Sequence, residues 1–273
     1  MKPIGLVAGS GKIVGQVLNE AKKAGKEVFV VALKGYAQEE FLPADVPCVW
    51  IRLGEVAKGF DALHQSGVEQ LCFIGAVRRP SLTELRPDWR AAKFFAKVGI
   101  SFLGDDDLLK CVLKEMENEG FQVVGVHEVL PSLLTKEKVY TKKKPSKEDW
   151  LFIEKGMKVA KTLGKLDVGQ AVVVQNDLVL AVEGIEGTDA LIQRSKVLHR
   201  KGKGGLLIKA CKPQQEKRMD LPTIGEKTLL SMKEAGLRGV AVEAGASLIV
   251  DEEETVQLAN KLGLFVVGYV FKG

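Results

Sequence analysis

Two successive α/β domains are what this sequence predicts, the first Rossmann-like with a mainly parallel sheet, the second with a mixed sheet, joined by a linker. Three observations predict it. Short apolar runs alternate with longer amphipathic runs in both halves of the 273-residue chain. Many of those apolar runs lack an in–out alternation, as strands covered on both faces do. Between the halves lies a stretch from Thr135 to Lys147 with six lysines and little apolar content, which reads as a linker or exposed excursion. The expected boundaries are 1–131 for the first domain, 132–147 for the linker and 148–273 for the second.

Ile4 to Ala8 reads as a buried strand, turned by Gly9-Ser-Gly11, with a helix from Val14 to Ala24 that stops at Gly25. Glu27–Leu33, Cys48–Leu53 and Gln70–Ile74 are strands, and Glu55–Gln65 is a helix. Gly104-Asp-Asp-Asp107 caps a helix over Leu108–Glu119, its acids at the end the helix dipole favours. Phe121–Val126 is a further strand. In the second half Glu148–Leu163 is a helix. Ala171–Gln175 and Leu178–Glu183 are strands, with Asn176-Asp177 as a hairpin signal. A helix over Thr188–Leu198, a strand over Gly205–Lys209 and a helix over Ile224–Ala235 follow. Gly239–Glu243, Asp251–Leu262 and Leu264–Tyr269 complete the chain as strand, helix and strand.

Composition narrows the function classes. Hydrophobic residues make up 46% and charged residues 27%, with a net charge of +5, as in a soluble globule with an anionic ligand or surface among its options. Cys48, Cys72, Cys111 and Cys211 are far apart with no C-x-x-C pair, which argues against structural zinc and a disulfide framework and for a reducing cytosol. Three histidines, His64, His127 and His199, form no metal pattern. No apolar run approaches the ~18–20 residues that span a bilayer. The N-terminus runs straight into a strand, without a visible signal peptide.

Four stretches carry candidate chemistry. Gly9-Ser-Gly-Lys-Ile-Val-Gly15 is a glycine turn between strand and helix, where Gly9, Ser10 and Gly11 could offer backbone amides to a phosphate. It fits neither standard motif. A P-loop needs Gly where Leu6 stands and Ser or Thr where Ile13 stands, and the dinucleotide fingerprint needs Gly where Val14 stands. Leu33-Lys34-Gly35 occupies the place of the ribose-binding acid, and Lys34 would suit a 2′-phosphate, which keeps an NADP reading open. A tight turn of any doubly wound fold is the plain alternative. The second stretch is Ala181-Val-Glu-Gly-Ile-Glu-Gly-Thr-Asp189. Glu183 or Asp189, with the amides beside them, could meet a metal–phosphate pair; helix capping by Thr188 and Asp189 is the alternative.

The third runs from Lys209 to Gly225. Lys209 and Lys212 can neutralise phosphate charge, Gln214 and Gln215 can donate to phosphate oxygens, and Asp220 can bind Mg²⁺ or position water. A solvated basic loop with Asp220 as a cap for the next helix is the alternative. The fourth, Gly239-Val-Ala-Val-Glu-Ala-Gly-Ala-Ser247, ends a strand in an acid among small residues, which suits close approach of a ligand or plain packing. The basic segment from Lys136 to Lys147 suits anionic lipid or nucleic acid, or an unoccupied linker.

Several of these segments together resemble one family. Asp167-Val-Gly-Gln-Ala-Val-Val-Val-Gln175, the Ala181–Asp189 stretch, Lys-Pro-Gln-Gln and Asp-Leu-Pro-Thr-Ile-Gly within Lys209–Gly225, and Gly239–Gly245 are similar to the C-terminal domain of the bacterial UDP-2,3-diacylglucosamine pyrophosphatases of lipid A biosynthesis, the type unrelated to metallophosphoesterases. Gly5–Gly11, Gly104-Asp-Asp106 and Val124–Pro131 resemble the N-terminal domain. The resemblance covers nearly the whole chain, and its most specific part is Asp-Leu-Pro-Thr-Ile-Gly after Lys-Pro-Gln-Gln. One departure is Glu216, where the family often has aspartate.

The resemblance implies a Mg²⁺-dependent hydrolase that splits UDP-2,3-diacylglucosamine into 2,3-diacylglucosamine 1-phosphate and UMP, on a lipid-binding cleft between two domains. It implies an essential role for Asp220. Chemical inference adds Asp220 and Glu183 as metal ligands, and Gly9, Ser10, Gly11, Thr188, Asp189, Lys209, Lys212, Gln214 and Gln215 as substrate-binding residues. Expected partners are the lipid substrate and product and the inner membrane surface, in transient contact with a cytoplasmic protein; nucleic acid is not among them, and a homodimer is left open. The competing expectations are an NADP-dependent reductase using the Gly9–Gly15 turn and a non-catalytic nucleotide-sugar binder.

Overall fold

The computed structural model describes residues 2–78, 86–98, 105–213, 218 and 221–272, with backbone alone at residues 98 and 105–107. The described residues fall into two compact units, one of residues up to Ser132 together with Arg218, the other from Leu133 onward. Both are α/β, as the alternation of strand and helix signals predicts.

In the first unit the order is β1 (Ile4–Ala8), α1 (Ile13–Lys23), β2 (Val28–Leu33), β3 (Cys48–Ile51), α2 (Val56–Gln65), β4 (Gln70–Ile74), α3 (Trp89–Val98), α4 (Asp105–Asn118), β5 (Gln122–Val123) and α5 (Val126–Val129). Five strands lie in the order β3-β2-β1-β4-β5, every neighbouring pair parallel. The reversal between β1 and β4 is the switch point of a doubly wound sheet. α1 turns Ile13, Val14, Val17, Leu18 and Ala21 inward, the helical spacing of its apolar residues. α2 lays Phe60 and Leu63 on Val31, Leu33, Ile51 and Leu71 of the sheet. The expected strand over Phe121–Val126 is reduced to two residues, because Gly125 begins α5 with Glu128 Oε1 accepting its N–H. α3 was not legible as a helix. The cap expected at Gly104 lies outside the described residues, as do the side chains of Asp105, Asp106 and Asp107.

The second unit runs β6 (Lys138–Val139), α6 (Lys147–Lys165), β7 (Ala171–Gln175), β8 (Leu178–Val182), α7 (Gly187–Ser195), β9 (Leu206–Lys209), β10 (Thr223–Ile224), α8 (Glu226–Glu234), β11 (Gly239–Glu243), β12 (Leu248–Ile249), α9 (Glu252–Leu262) and β13 (Phe265–Tyr269). Six strands form a mixed sheet, β6-β13-β11-β9-β7-β8. β9, β11 and β13 are parallel, while β7 opposes β8 and β9 and β6 opposes β13. The β7–β8 hairpin turns on Asn176 and Asp177, both at positive φ, as a two-residue hairpin requires.

The sheet is apolar on both faces because successive side chains alternate. Val173, Leu207, Val240, Val242 and Val266 face α7, α8 and α9, where Leu191, Ile192, Leu229, Met232 and Ala259 cover them. Val172, Val174, Leu206, Ile208, Ala241 and Phe265 face Ile153, Met157 and Ala160 of α6. That double coverage explains why the strands read as unbroken apolar runs. β10 and β12 form a separate small parallel sheet that the sequence did not reveal.

The lysine-rich stretch corrects the linker reading. Thr135 donates N–H and Oγ1–H to the Ser247 carbonyl, β6 pairs with β13, and the Lys142 N–H donates to Asn260 Oδ1. Thr135 and Thr141 are buried. The lysines occupy the outward positions, so composition registers the wet side of a chain whose small residues are packed. Ser146 then caps α6 in a reciprocal box with Asp149. Asp149 is also paired, 2.5 Å away, with Arg238, both side chains being largely buried.

Candidate active site

The carboxyl ends of parallel strands are where an α/β sheet presents loops and helix N-termini to a ligand. In the first unit that edge carries Gly9, Ser10 and Gly11. The turn is closed on itself. Gly9 N–H donates to the Ile74 carbonyl, Ser10 and Ala76 exchange backbone hydrogen bonds, and Ser10 Oγ also donates to the Ala76 carbonyl. Gly11 N–H donates to Gln38 Oε1 at 3.2 Å. A Cβ on Gly9 would stand 2.8 Å from the Ala76 oxygen, so glycine is needed there for strand-to-loop contact. The three amides expected to cradle phosphate are thus engaged by the protein, and the bridge from Ser10 to Ala76 crosses the switch point. This weakens the reductase expectation, which needed those amides on a dinucleotide.

In the second unit the corresponding edge gathers the charged residues. Register places Lys209 beside Ala171, and Glu183 N–H donates to the Ala171 carbonyl on the other side. Lys209 and Glu183 therefore flank β7 in one row, on the face covered by α7 and α8. Glu183 is 5% exposed. Its Oε2 accepts the Gln170 N–H at 2.8 Å and its Oε1 accepts the Thr188 hydroxyl at 2.7 Å. Thr188 sits inside the first turn of α7 and makes no cap; its hydroxyl is turned to Glu183. Lys209 is also buried and donates from Nζ to the Thr223 carbonyl, 3.0 Å away.

The α6 face of this edge holds a second cluster. Cys211 N–H donates to Glu243 Oε2 at 2.9 Å, and Lys161 Nζ donates to the Cys211 carbonyl at 2.9 Å. Lys161 and Glu243 are paired at 2.6 Å with side chains 18% and 15% exposed. Lys212 Nζ meets Asp167 Oδ1 at 2.6 Å. The structure thus brings Glu183 and Thr188 together and puts Lys209 and Lys212 at the same edge. Asp189 turns away and pairs with the exposed Lys227 at 2.6 Å, a surface contact of small energetic weight.

Gln214, Gln215, Glu216 and Asp220 lie outside the described residues. Among the described residues no three His, Cys, Asp or Glu side chains gather as a metal site. Glu183, Glu243 and Asp167 each hold a protein partner already. Glu183 in particular accepts from both Gln170 and Thr188, which fixes the orientation of its carboxylate at the edge.

Residue matches extend over both units. One family model, for the LpxI N-terminal domain, matches residues 3–133, and a second, for the LpxI C-terminal domain, matches residues 136–267. The chain belongs to the LpxI family. A member from Caulobacter vibrioides, named UDP-2,3-diacylglucosamine pyrophosphatase LpxI, is 40% identical over 278 residues, covering 98% of each chain. The family relation and the two sheets agree with the fold expected from sequence.

Sequence reasoning missed Lys161 and did not single out Gln170. Lys161 lies on an amphipathic helix among other lysines, where nothing marks one as buried. Gln170 contributes backbone and lies in a matched motif that was quoted without a role. Glu243 was noticed as an acid ending a strand, and its partners emerge only when β9, β11 and α6 are packed. No helix among the described residues is long and apolar enough to cross a membrane.

Proposed function

We propose that this protein hydrolyses the diphosphate of UDP-2,3-diacylglucosamine, releasing 2,3-diacylglucosamine 1-phosphate and UMP for lipid A biosynthesis. The observation that carries the reading is the kinship over 98% of the chain with a protein named for that activity. The gathering of Glu183, Thr188, Lys209 and Lys212 at one sheet edge supports it.

Water adds across one P–O bond of the bridge: its oxygen goes to phosphorus, and its protons are shared between the phosphates and solvent. The diphosphate oxygens repel that nucleophile, so catalysis is mostly charge neutralisation and positioning. Lys209 and Lys212 supply positive charge. Glu183 holds the Gln170 amide and the Thr188 hydroxyl, which fixes the loop joining β8 to α7. Asp220 orients the water or takes its proton, and Gln214 and Gln215 donate to phosphate oxygens. Mg²⁺ belongs to the same reading: it keeps most of its waters and needs only one or two carboxylates besides phosphate oxygens, so Asp220 is the ligand we assign. It would supply further neutralisation of the diphosphate. The substrate's acyl chains call for transient contact with the inner membrane surface by a cytoplasmic protein.

The test is incubation with UDP-2,3-diacylglucosamine, with Mg²⁺ or with EDTA, followed by phosphorus NMR. UMP and a sugar 1-phosphate, formed only with Mg²⁺, are expected. No UMP under either condition overturns the hydrolase, and a saturable shift in melting temperature with NADPH but not UMP would replace it with the reductase.

A further inference from the structure

Beyond the residues assigned to the reaction above, the packing of α6 against the loop leaving β9 singles out two more. β9 ends at Lys209, and Cys211 is the last residue before Lys212-Pro213-Gln214-Gln215. Both backbone polar groups of Cys211 are taken by side chains. Glu243, at the end of β11, accepts its N–H, and Lys161, on α6, donates to its carbonyl. The ammonium and carboxylate then meet each other at 2.6 Å. The result is a closed ring in which one ion pair grips one residue through the two peptide units that flank its Cα.

The setting makes the grip stiff. One helical turn after Lys161 stands Gly164, where a Cβ would lie 3.1 Å from Lys212 Cα and 3.2 Å from Pro213 Cδ. The helix therefore touches the loop backbone directly, and Lys161 and Gly164 share one face of α6. A backbone amide and carbonyl leaving a sheet edge are ordinarily satisfied by water or by the next strand. Here a mostly buried ion pair is used, and apolar residues in its place would leave the buried Cys211 N–H and carbonyl unpaired. What the pair adds is direction, because charged donors and acceptors fix the orientation of the peptide they bind more tightly than neutral ones.

We propose that Lys161 and Glu243 are positioning residues for the reaction: together they clamp Cys211 through its N–H and its carbonyl and so hold the next residue, Lys212, where it meets the diphosphate. The inference rests on the hydrolase reading above. Neither residue touches the reacting atoms; each acts through the loop.

Kinetics of Lys161→Met, Glu243→Ala, the double variant and Lys161→Arg test it, beside hydrogen exchange of the peptide spanning residues 209–213. Each single variant should lower kcat about 100-fold, the scale of a displacement of about 1 Å in a catalytic group, with KM within about threefold. The double variant should be no worse than the poorer single one, because the two residues form one unit. Lys161→Arg, which keeps charge and donors, should recover to within about tenfold of wild type. Exchange at the Cys211 amide should quicken about tenfold or more in Glu243→Ala. Should Glu243→Ala fail to fold, Glu243→Gln keeps the acceptor but not the ion pair, and should fall between. Loss of melting temperature with kcat of the folded enzyme unchanged would reduce the pair to a structural role and overturn the proposal. Wild type that releases no UMP overturns the hydrolase reading instead; exchange at Cys211 then still decides the clamp, and unchanged protection sinks it.

Discussion

The carboxyl edges of the two sheets solve the same topological problem in opposite ways. In the first unit, Gly9, Ser10 and Gly11 have the residue types of a phosphate loop, yet their amides are bound to Ile74, Ala76 and Gln38. In the second, no standard glycine motif appears, yet the edge keeps Lys209 and Glu183 buried on one face and the Lys161–Glu243 and Lys212–Asp167 pairs on the other. Glycine permits close approach of a backbone, and in the first unit the neighbour that approaches is the protein itself. Charge kept at a sheet edge against its desolvation cost is the stronger sign of a site.

The largest effect that would break the comparison is at Asp220. Asp220→Ala should lower UMP release at least ~100-fold with little change in melting temperature; wild-type turnover in that variant would move the chemistry elsewhere. Next comes the opposite edge of the second sheet, where Arg238 precedes β11 and pairs with Asp149. Arg238→Met strands a buried carboxylate and should cost about 3–5 kcal/mol in denaturant unfolding, while kcat of the remaining folded enzyme stays near wild type. A loss of kcat without a loss of stability would make that edge functional too.

The same pair gives a pH dependence. Burial pushes the Asp149 carboxyl up, but the Arg238 and Ser146 hydrogen bonds outweigh it and hold the carboxyl below its ordinary value. A depressed folded value means stability that is present above the unfolded pKa, about 4, and is lost as pH falls through the folded one. Unfolding free energy should therefore decline on acidification below about pH 4, less steeply in Asp149→Asn; equal slopes would remove Asp149 as the cause.

Glu183→Ala leaves the Gln170 N–H and the Thr188 hydroxyl without their acceptor and should cost about 1–3 kcal/mol of stability, with a fall in kcat. Glu183→Gln, which still accepts, should retain most of both; a steep rise in the Mg²⁺ concentration needed by Glu183→Gln would return Glu183 to the metal. The smallest effect is expected at Ser10. Ser10→Ala removes one exposed hydrogen bond to Ala76, worth about 1 kcal/mol or less, and UMP release should stay within about threefold; a larger selective loss of turnover would make the first edge functional too.

The fold was legible wherever burial wrote a period into the chain. β4, β7 and β11 fall on the residues expected, Gln70–Ile74, Ala171–Gln175 and Gly239–Glu243, because five apolar or matched residues between turn signals have few alternatives. Composition misled at Thr135–Lys147, where outward lysines concealed buried threonines. Two-residue strands such as β6, β10 and β12 carry too few positions for any period to register. Glu183, Thr188, Lys209 and Lys212 were legible as a list of residues that suit phosphate. The list could not separate Asp189, which faces Lys227 at the surface, from Glu183, which is buried.

The sequence by itself determined the two α/β domains, the family, and which residue types are offered to a diphosphate, because those follow from periodicity and from residues in matched order. Only the tertiary structure decided what each of them touches. Strand register placed Glu183 and Lys209 on either side of β7, the close approach of α6 brought Lys161 to Glu243, and the Ser10–Ala76 bridge closed the glycine turn. Such contacts join residues far apart in the chain, and nothing local in the sequence records them.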